Sequence, residues 1–339
     1  METRRRPIWK RLVFATLLCF VILLAVELLL GLIFLVKDRH ELVEDVHDEP
    51  YLYYLYNEGP GTNVHGFKTA YTQEKPLGIY RIVLVGGSVA RGREPENSIA
   101  HYLEQELSQR YNADNLQVVN AGISGYVLQQ ELILIQTIVQ NYKPDLIIGL
   151  DGYNDLLTYY LNQSMNTNVA LPPHQWRDFK AIKEHRFRKK PYSRFAYFFK
   201  NINRVKEYMV RSSDLHSDKW IQKHQEDPCG TFCGSYFQLM DDTEAFCRAK
   251  SIWYVQFVQP INFNATTPFD GAAKTITQVL YNKLDTFALP RPYAFSLAHA
   301  LDNEDSLFYD DVHLIPEGNQ RIASAMADSL APVFYQIFR

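Results

Sequence analysis

The chain has 339 residues, of which 47% are apolar and 22% are charged, and its 35 basic and 38 acidic side chains give a formal net charge of −3. This composition is that of an ordinary packed globule, and it excludes a disordered tail protein, a collagen-like chain and a coiled coil. The near-neutral charge gives no indication of nucleic-acid binding. Four cysteines are too few for a disulfide-dense scaffold.

The first element in chain order is an apolar stretch at 12–36, which is 25 residues long and carries one charge, Glu27. About 20 apolar residues cross the hydrocarbon core, so the stretch predicts a transmembrane helix. The tail at 1–11 is basic, which predicts a cytoplasmic N-terminus and an extracytoplasmic domain, periplasmic or at the cell surface. An uncleaved anchor is favoured over a signal peptide, because the apolar region is long and no cleavage motif follows it.

Residues 37–78 are polar, carry the turn signal Gly59-Pro60-Gly61 and are interpreted as a stalk or linker. They include a tyrosine-rich patch: Tyr51, Tyr53, Tyr54 and Tyr56.

From residue 79 the sequence alternates between apolar strand patterns and amphipathic helix patterns. Predicted strands, each a short apolar run typical of burial on both faces, lie at 80–85, 116–120, 145–150 and 252–258. Predicted helices lie at 98–111, 128–141, about 272–287 and 317–338. This alternation indicates an α/β fold with a parallel sheet covered on both faces.

One long stretch, Leu156 to Phe246, breaks the α/β pattern. It is aromatic and locally basic, with 12 basic and 3 acidic residues between Arg177 and Arg211. It is interpreted as an insertion at 156–246 within a single domain at 79–339. Its basic run at 183–190 fits either anionic polysaccharide or lipid headgroups, or a solvated face.

In open parallel sheets, sites form at the carboxyl ends of the strands. In this sequence, polar residues and glycines follow the predicted strands at these ends. Ser88 follows the first strand, Gly125 the second and Asn154 the third, while Asp310 and His313 precede the last helix.

These residue types suit acyl transfer. A serine hydroxyl becomes nucleophilic when a histidine removes its proton, and a carboxylate orients that histidine. The Ser88 and Gly125 backbone N–H groups and the Asn154 amide are candidate donors to an oxyanion.

Four segments carrying these residues resemble the sequence blocks of the SGNH hydrolase superfamily, the GDSL-type esterases and lipases. In order they are Gly86-Gly87-Ser88-Val89, Asn120-Ala121-Gly122-Ile123-Ser124-Gly125, Gly152-Tyr153-Asn154-Asp155 and Asp310-Asp311-Val312-His313. In the first block Gly87 stands where the family usually has Asp. The resemblance covers roughly 79–155 and 250–339, and the insertion matches no block.

The resemblance implies a three-layer, flavodoxin-like α/β/α fold and a serine esterase without metal or cofactor. It implies a triad of Ser88, His313 and Asp310, with Asp311 as the alternative carboxylate. It also implies an oxyanion hole formed by Ser88, Gly125 and Asn154, with Gly125 rather than Gly122 as the matching glycine. The expected substrate is an ester, such as an acetylated glycan or a lipid. Alternatives are an O-acyltransferase with the same triad and a non-catalytic envelope scaffold.

The cysteines outside the apolar stretch are Cys229, Cys233 and Cys247. An oxidising exterior predicts one disulfide among these three cysteines, with Cys247 linked to Cys229 or Cys233 as the favoured pairing. A zinc site that includes His224 is the alternative.

Overall fold

The computed structural model describes residues 8–40, 46–49, 51–156, 158, 230–265, 278–279, 281–286 and 290–337. These residues belong to two units. Helix α1 (Ile8–His40) lies in the first unit. The elements that follow residue 45 lie in the second, which carries the predicted chemistry.

Helix α1 contains the whole predicted span at 12–36. Large apolar side chains between Val13 and Leu29 are exposed on it. Among the residues whose side chains the structure describes, no helix meets the length and apolarity needed to cross a membrane. The anchor stays a prediction.

The second unit is built on a five-stranded parallel sheet in the order β4-β3-β5-β6-β7. Its strands are β3 (Tyr80–Gly86), β4 (Leu116–Asn120), β5 (Leu146–Asp151), β6 (Trp253–Val258) and β7 (Ala294–Ser296). The register sets Leu84 of β3 beside Asn120 on one side and Ile148 on the other. The chain thus enters the sheet at β3, adds β4 on one side and then adds β5 on the other. Open α/β sheets form sites at such a point, here between the carboxyl ends of β3 and β5.

The helices that cover the sheet are α3 (Ile99–Tyr111), α4 (Leu128–Thr137), α5 (Gly230–Ala249) and α6 (Pro316–Ile337). Right-handed crossovers place α3 on one face, because β3 to β4 runs one way across the sheet. They place α4 and α5 on the other face, because β4 to β5 and β5 to β6 run the opposite way. Helix α6 packs against α3. The α/β prediction is confirmed.

The amphipathic pattern of α3 explains its packing. Ile99, Leu103 and Leu107, the predicted apolar face, are fully buried. Ser98 caps the helix by accepting a 3.3 Å hydrogen bond from the N–H of His101. The short strand β7 was not predicted, because three residues after a proline-rich turn are too few for a periodic pattern.

Residues predicted as a stalk belong to the folded second unit from residue 45 onward. Strands β1 (Val46–Glu49) and β2 (Tyr53–Tyr56) form an antiparallel hairpin. Leu55 and Phe67 are buried. The buried Arg81 guanidinium on β3 donates to the carbonyl oxygens of Thr72 and Gln73, both at 3.1 Å. The stalk prediction is wrong for this part, because Leu55, Tyr56 and Phe67 are buried in the second unit.

The predicted insertion is also shorter than 156–246 at its carboxyl end. Helix α5 begins at Gly230, and Tyr236, Phe237 and Met240 lie in the core. Residues 159–229, including the basic run at 183–190, lie outside the described residues.

The predicted pairing of Cys247 is wrong. Cys247 is a free, buried thiol, whereas Cys233 is disulfide-bonded. Both residues lie on α5, 14 positions apart, and a rise of about 1.5 Å per residue separates them far beyond the reach of a disulfide. Burial raises the pKa of the Cys247 thiol to about 12, so it is a packing residue. Cys229 and His224 lie outside the described residues.

A cluster of buried carboxyl groups lies between β5 and the helices on its face. Glu131 of α4 is fully buried and interacts electrostatically with Asp151 at the end of β5. Gln256 Nε2 donates to Asp151 Oδ2, at 3.0 Å. Burial raises the pKa of Glu131 well above its ordinary value, and the charges of Asp151 and Asp155 raise it further. The folded state therefore favours the protonated form of Glu131 more than the unfolded chain does.

We predict that Glu131→Gln stabilises the protein at pH 8 but not near pH 4.5. In the unfolded chain Glu131 loses its proton above its ordinary pKa of 4.5, whereas in the folded state its raised pKa retains the proton to higher pH. The free energy of unfolding therefore falls as pH rises from 4.5 toward the raised pKa of the folded state. Glutamine removes this dependence. We expect a melting temperature raised by about 3 °C or more at pH 8. The control is Glu58→Gln in an exposed loop, and a gain independent of pH would contradict the prediction.

Candidate active site

The first component of the site is the turn that carries Ser88. Strand β3 ends at Gly86, and Ser88 opens the four-residue helix α2 (Ser88–Arg91). Gly86 has a φ of +154°, and a Cβ there would lie 2.6 Å from the carbonyl oxygen of Leu150. The turn requires glycine because a side chain would collide with the backbone of β5. Ser88 is thereby brought to the carboxyl end of β3, beside β5.

The second component is a tight turn before α6. Asp310 Oδ1 accepts hydrogen bonds from the N–H groups of Val312, at 3.0 Å, and His313, at 2.8 Å. The short aspartate side chain thus closes its own turn. Its other oxygen, Oδ2, lies 2.7 Å from His313 Nδ1. The three-residue spacing seen in the sequence therefore places this carboxylate against the imidazole.

The two components meet at His313. Its Nε2 lies 2.8 Å from Ser88 Oγ, although the two residues are 225 positions apart. Since the Asp310 carboxylate faces Nδ1, the imidazole carries its proton there and its Nε2 lone pair accepts from the serine hydroxyl. The structure thus brings the three predicted residues into one hydrogen-bonded chain.

Asp310 is held in its ionised form. Burial raises the pKa of its carboxyl, but hydrogen bonds from the N–H groups of His313 and Val312 and from the imidazole lower it, and the pKa lies below its usual value. A carboxylate charged at neutral pH stabilises a proton arriving on the imidazole. The His313 and Asp310 side chains are 39% and 47% exposed, so the site opens to solvent and can admit a bulky ligand.

The third component is the loop that follows β4, together with Asn154. Gly125 has a φ of +79°, which glycine adopts without strain. The next residue, Tyr126, accepts a 2.9 Å hydrogen bond at its carbonyl oxygen from Asn154 Nδ2. The two predicted oxyanion donors are therefore tied to each other through one residue of backbone.

Gly87 connects this third component to Ser88. A Cβ at Gly87 would lie only 2.3 Å from Asn154 Nδ2. The Asn154 amide therefore occupies the space that a side chain at 87 would need.

Two neighbouring carboxylates have other partners. Asp311, the alternative to Asp310, accepts a hydrogen bond from the Tyr153 hydroxyl and does not take the position against His313. Asp155 accepts a 2.9 Å hydrogen bond from the N–H of Leu128, so it caps the start of α4. Burial raises the pKa of Asp155 to about 8.

The residues that hold the three loops together were missed in the sequence. Arg91 is buried, and its Nη1 donates to the carbonyl oxygens of Gly66, at 3.1 Å, and Gly122, at 3.4 Å. Its guanidinium lies 3.5 Å from the centre of the Tyr56 ring. Asn120 Nδ2 donates to the Arg91 carbonyl oxygen at 3.1 Å. The tyrosine-rich patch was a usable signal, but it was interpreted as part of a stalk.

The site contains no evident metal ligands. Within the described parts of the chain, no group of three or more His, Cys, Asp or Glu side chains is arranged to hold a metal ion.

Comparisons with known proteins give matches in structure alone. No protein-family model matches the chain, and no curated protein matches it. Solved structures that resemble it include a lipolytic protein of the G-D-S-L family from Desulfitobacterium hafniense, at 14% identity and a TM-score of 0.40, with 74% of this chain and 99% of that chain covered. A catalytic mutant of an acetylxylan esterase from Geobacillus stearothermophilus has 13% identity and a TM-score of 0.43, with 76% and 97% covered. A GDSL-like lipase from Bacteroides thetaiotaomicron has 13% identity and a TM-score of 0.41, with 77% and 92% covered.

Proposed function

We propose that this protein is a serine ester hydrolase of the SGNH type that works through an acyl-enzyme. The observation that carries the proposal is the hydrogen-bonded chain from Ser88 through His313 to Asp310, at the carboxyl end of the sheet. A serine that only capped a helix would need no imidazole at 2.8 Å. The matching sequence blocks give independent support.

The first chemical step uses the chain of hydrogen bonds directly. Ser88 Oγ attacks the ester carbonyl carbon while its proton passes to His313 Nε2. The imidazole then carries a positive charge, which the ionised Asp310 stabilises from the Nδ1 side. The carbonyl oxygen becomes an oxyanion.

The oxyanion is the species that Gly125, Asn154 and the Ser88 backbone stabilise. Their N–H groups donate to it in a geometry fixed before substrate arrives, which is the source of the rate gain. Collapse of the intermediate breaks the bond to the alcohol, which takes the proton from His313 Nε2. Water repeats the sequence on the acyl-enzyme and releases the acid and the free serine.

We further propose that the acyl group is acetyl and the alcohol a glycan. The observation that supports a bulky alcohol such as a glycan is the open setting of the triad, with His313 and Asp310 both more than one-third exposed. Arg93 adds an exposed polar group at this rim, since its guanidinium lies 3.7 Å from the centre of the Tyr309 ring, next to Asp310.

Replacement of Ser88 by alanine is expected to abolish activity and labelling together. The substitution removes the nucleophile, so hydrolysis of p-nitrophenyl acetate and release of acetate from acetylated xylan should fall at least about 10³-fold. Fluorophosphonate labelling, measured by mass spectrometry, should disappear. Ser329→Ala on α6, whose hydroxyl bonds to the Ala325 carbonyl oxygen, is the matched control.

Four outcomes would count against these proposals. Unchanged activity in Ser88→Ala would refute the triad. Absence of labelling in the folded wild-type protein would favour the scaffold alternative. Product that forms only when a sugar acceptor is present, with little free acetate, would favour acyl transfer, and faster turnover of longer acyl esters would refute the acetyl assignment.

Gly87→Ala is predicted to lower kcat with little loss of stability. The new Cβ would lie 2.3 Å from Asn154 Nδ2 and would therefore displace this amide. Removal of one oxyanion donor typically lowers kcat about 10²- to 10³-fold. Gly234→Ala on α5 is the control, since a Cβ there meets nothing within 4 Å. Kinetics and thermal unfolding of both variants make the test, and a kcat unchanged in Gly87→Ala would contradict it.

We also propose that residues 12–36 anchor the protein in a membrane with its second unit outside the cytoplasm. The support is the length and apolarity of this stretch and the basic residues before it. The full chain should stay in the membrane pellet after alkaline carbonate extraction. Leu23→Lys with Leu24→Lys should release it, and extraction of the unaltered chain would refute the anchor.

A further inference from the structure

The peptide bond between Ser124 and Gly125 has two polar ends with different tasks. Its N–H, on Gly125, is one of the proposed oxyanion donors. Its C=O, on Ser124, points the opposite way, because a trans peptide is planar and its C=O and N–H are antiparallel. Whatever holds the Ser124 carbonyl therefore also aims the Gly125 N–H.

The Ser124 carbonyl oxygen is held by Tyr54. The Tyr54 hydroxyl donates a hydrogen bond to it across 70 positions of sequence. Without such a contact the peptide plane could rotate, since Gly125 has no Cβ and its φ of +79° lies in a region open to glycine.

Tyr54 is itself fixed by the loop that it holds. Its backbone carbonyl oxygen accepts a hydrogen bond from the Tyr126 hydroxyl. The two rings make an edge contact, with centres 5.4 Å apart and planes at 79°. Tyr126 is fully buried, and its own carbonyl holds Asn154. The two tyrosines therefore connect the hairpin to both oxyanion donors.

The hairpin has further attachments that keep Tyr54 in place. Gln130 Nε2 of α4 donates to the Leu52 carbonyl oxygen at 3.1 Å. Leu55 is buried, and the Tyr56 ring packs under the Arg91 guanidinium. The residues on either side of Tyr54 are thus bound to the elements that carry the active-site loops.

We propose that Tyr54 is a positioning residue for the oxyanion hole, an inference that rests on the proposed esterase function. Its hydroxyl sets the plane of the Ser124–Gly125 peptide and polarises it, because a hydrogen bond accepted at the carbonyl strengthens the N–H as a donor. The segment before the α/β sheet therefore completes the active site. It supplies no group that touches substrate.

The test compares Tyr54→Phe with Tyr71→Phe. Both substitutions remove one hydroxyl from the same N-terminal segment, but Tyr71 donates to Glu104 on α3, at 2.7 Å. Active sites are first counted by end-point fluorophosphonate titration, and rates on p-nitrophenyl acetate are given per titrated site. We expect kcat of Tyr54→Phe to fall about 10-fold or more, with KM changed less than about 3-fold, and Tyr71→Phe to match the wild type.

A second readout separates positioning from a general structural effect. An alkyl boronic acid adds to a serine hydroxyl and forms a tetrahedral boronate that uses the same oxyanion donors. Its inhibition constant should rise in Tyr54→Phe by about the same factor as kcat/KM falls, while the pH profile stays unchanged because Ser88, His313 and Asp310 are untouched.

The outcomes distinguish this inference from the proposed function. A wild-type protein without hydrolysis and without labelling would overturn the function and the inference with it. An active wild type with an equally active Tyr54→Phe would overturn the inference alone. A Tyr54→Phe that loses only titratable sites, with normal kcat per remaining site, would also overturn it, because Tyr54 would then serve folding.

Discussion

The second unit depends on the close approach of three loops at the carboxyl edge of the sheet, and this approach is possible only where side chains are missing. A Cβ at Gly86 would strike the backbone of β5, and one at Gly122 would lie 2.4 Å from the backbone nitrogen of Arg91. A Cβ at Gly87 would strike the Asn154 amide. Overlaps with backbone cannot be relieved by rotamer changes, so Gly86 and Gly122 determine how near the ends of β3, β4 and β5 come to one another.

Close packing leaves buried polar groups that need partners, and the supporting residues satisfy them. Asn120 accepts from the Gly122 N–H at 3.1 Å and donates to the Arg91 carbonyl, so it bridges the first two loops. Asn154 Nδ2 donates to the Tyr126 carbonyl oxygen and so connects the third loop to the second. Each unpaired buried group would cost about 1–3 kcal/mol. These groups are therefore hydrogen-bonded within the framework, while the His313 and Asp310 side chains are 39% and 47% exposed.

How much could be predicted from the sequence follows from which interactions are local. The strand at 116–120 and the buried face of α3 were predictable, because periodicity and burial are written in neighbouring residues. The pairing of Ser88 with His313 was predictable from strand ends and block order. The hydrogen bond from Tyr54 to the Ser124 carbonyl was not, since no strand end and no sequence block marks Tyr54. The Cys247 pairing failed because helix α5, which separates it from Cys233, had been assigned to an insertion.

The first block has Gly87 where the family that it resembles usually has aspartate. That position never supplies the nucleophile, so its loss concerns the bracing of the turn. Here the bracing comes from elsewhere: Arg91 of α2 holds the Gly66 and Gly122 carbonyls, and Lys68 Nζ donates to the Gly92 carbonyl at 3.0 Å. Both contacts involve residues 66–68, which precede the sheet. The hairpin and the residues after it are therefore part of the framework that holds the loops of the candidate site.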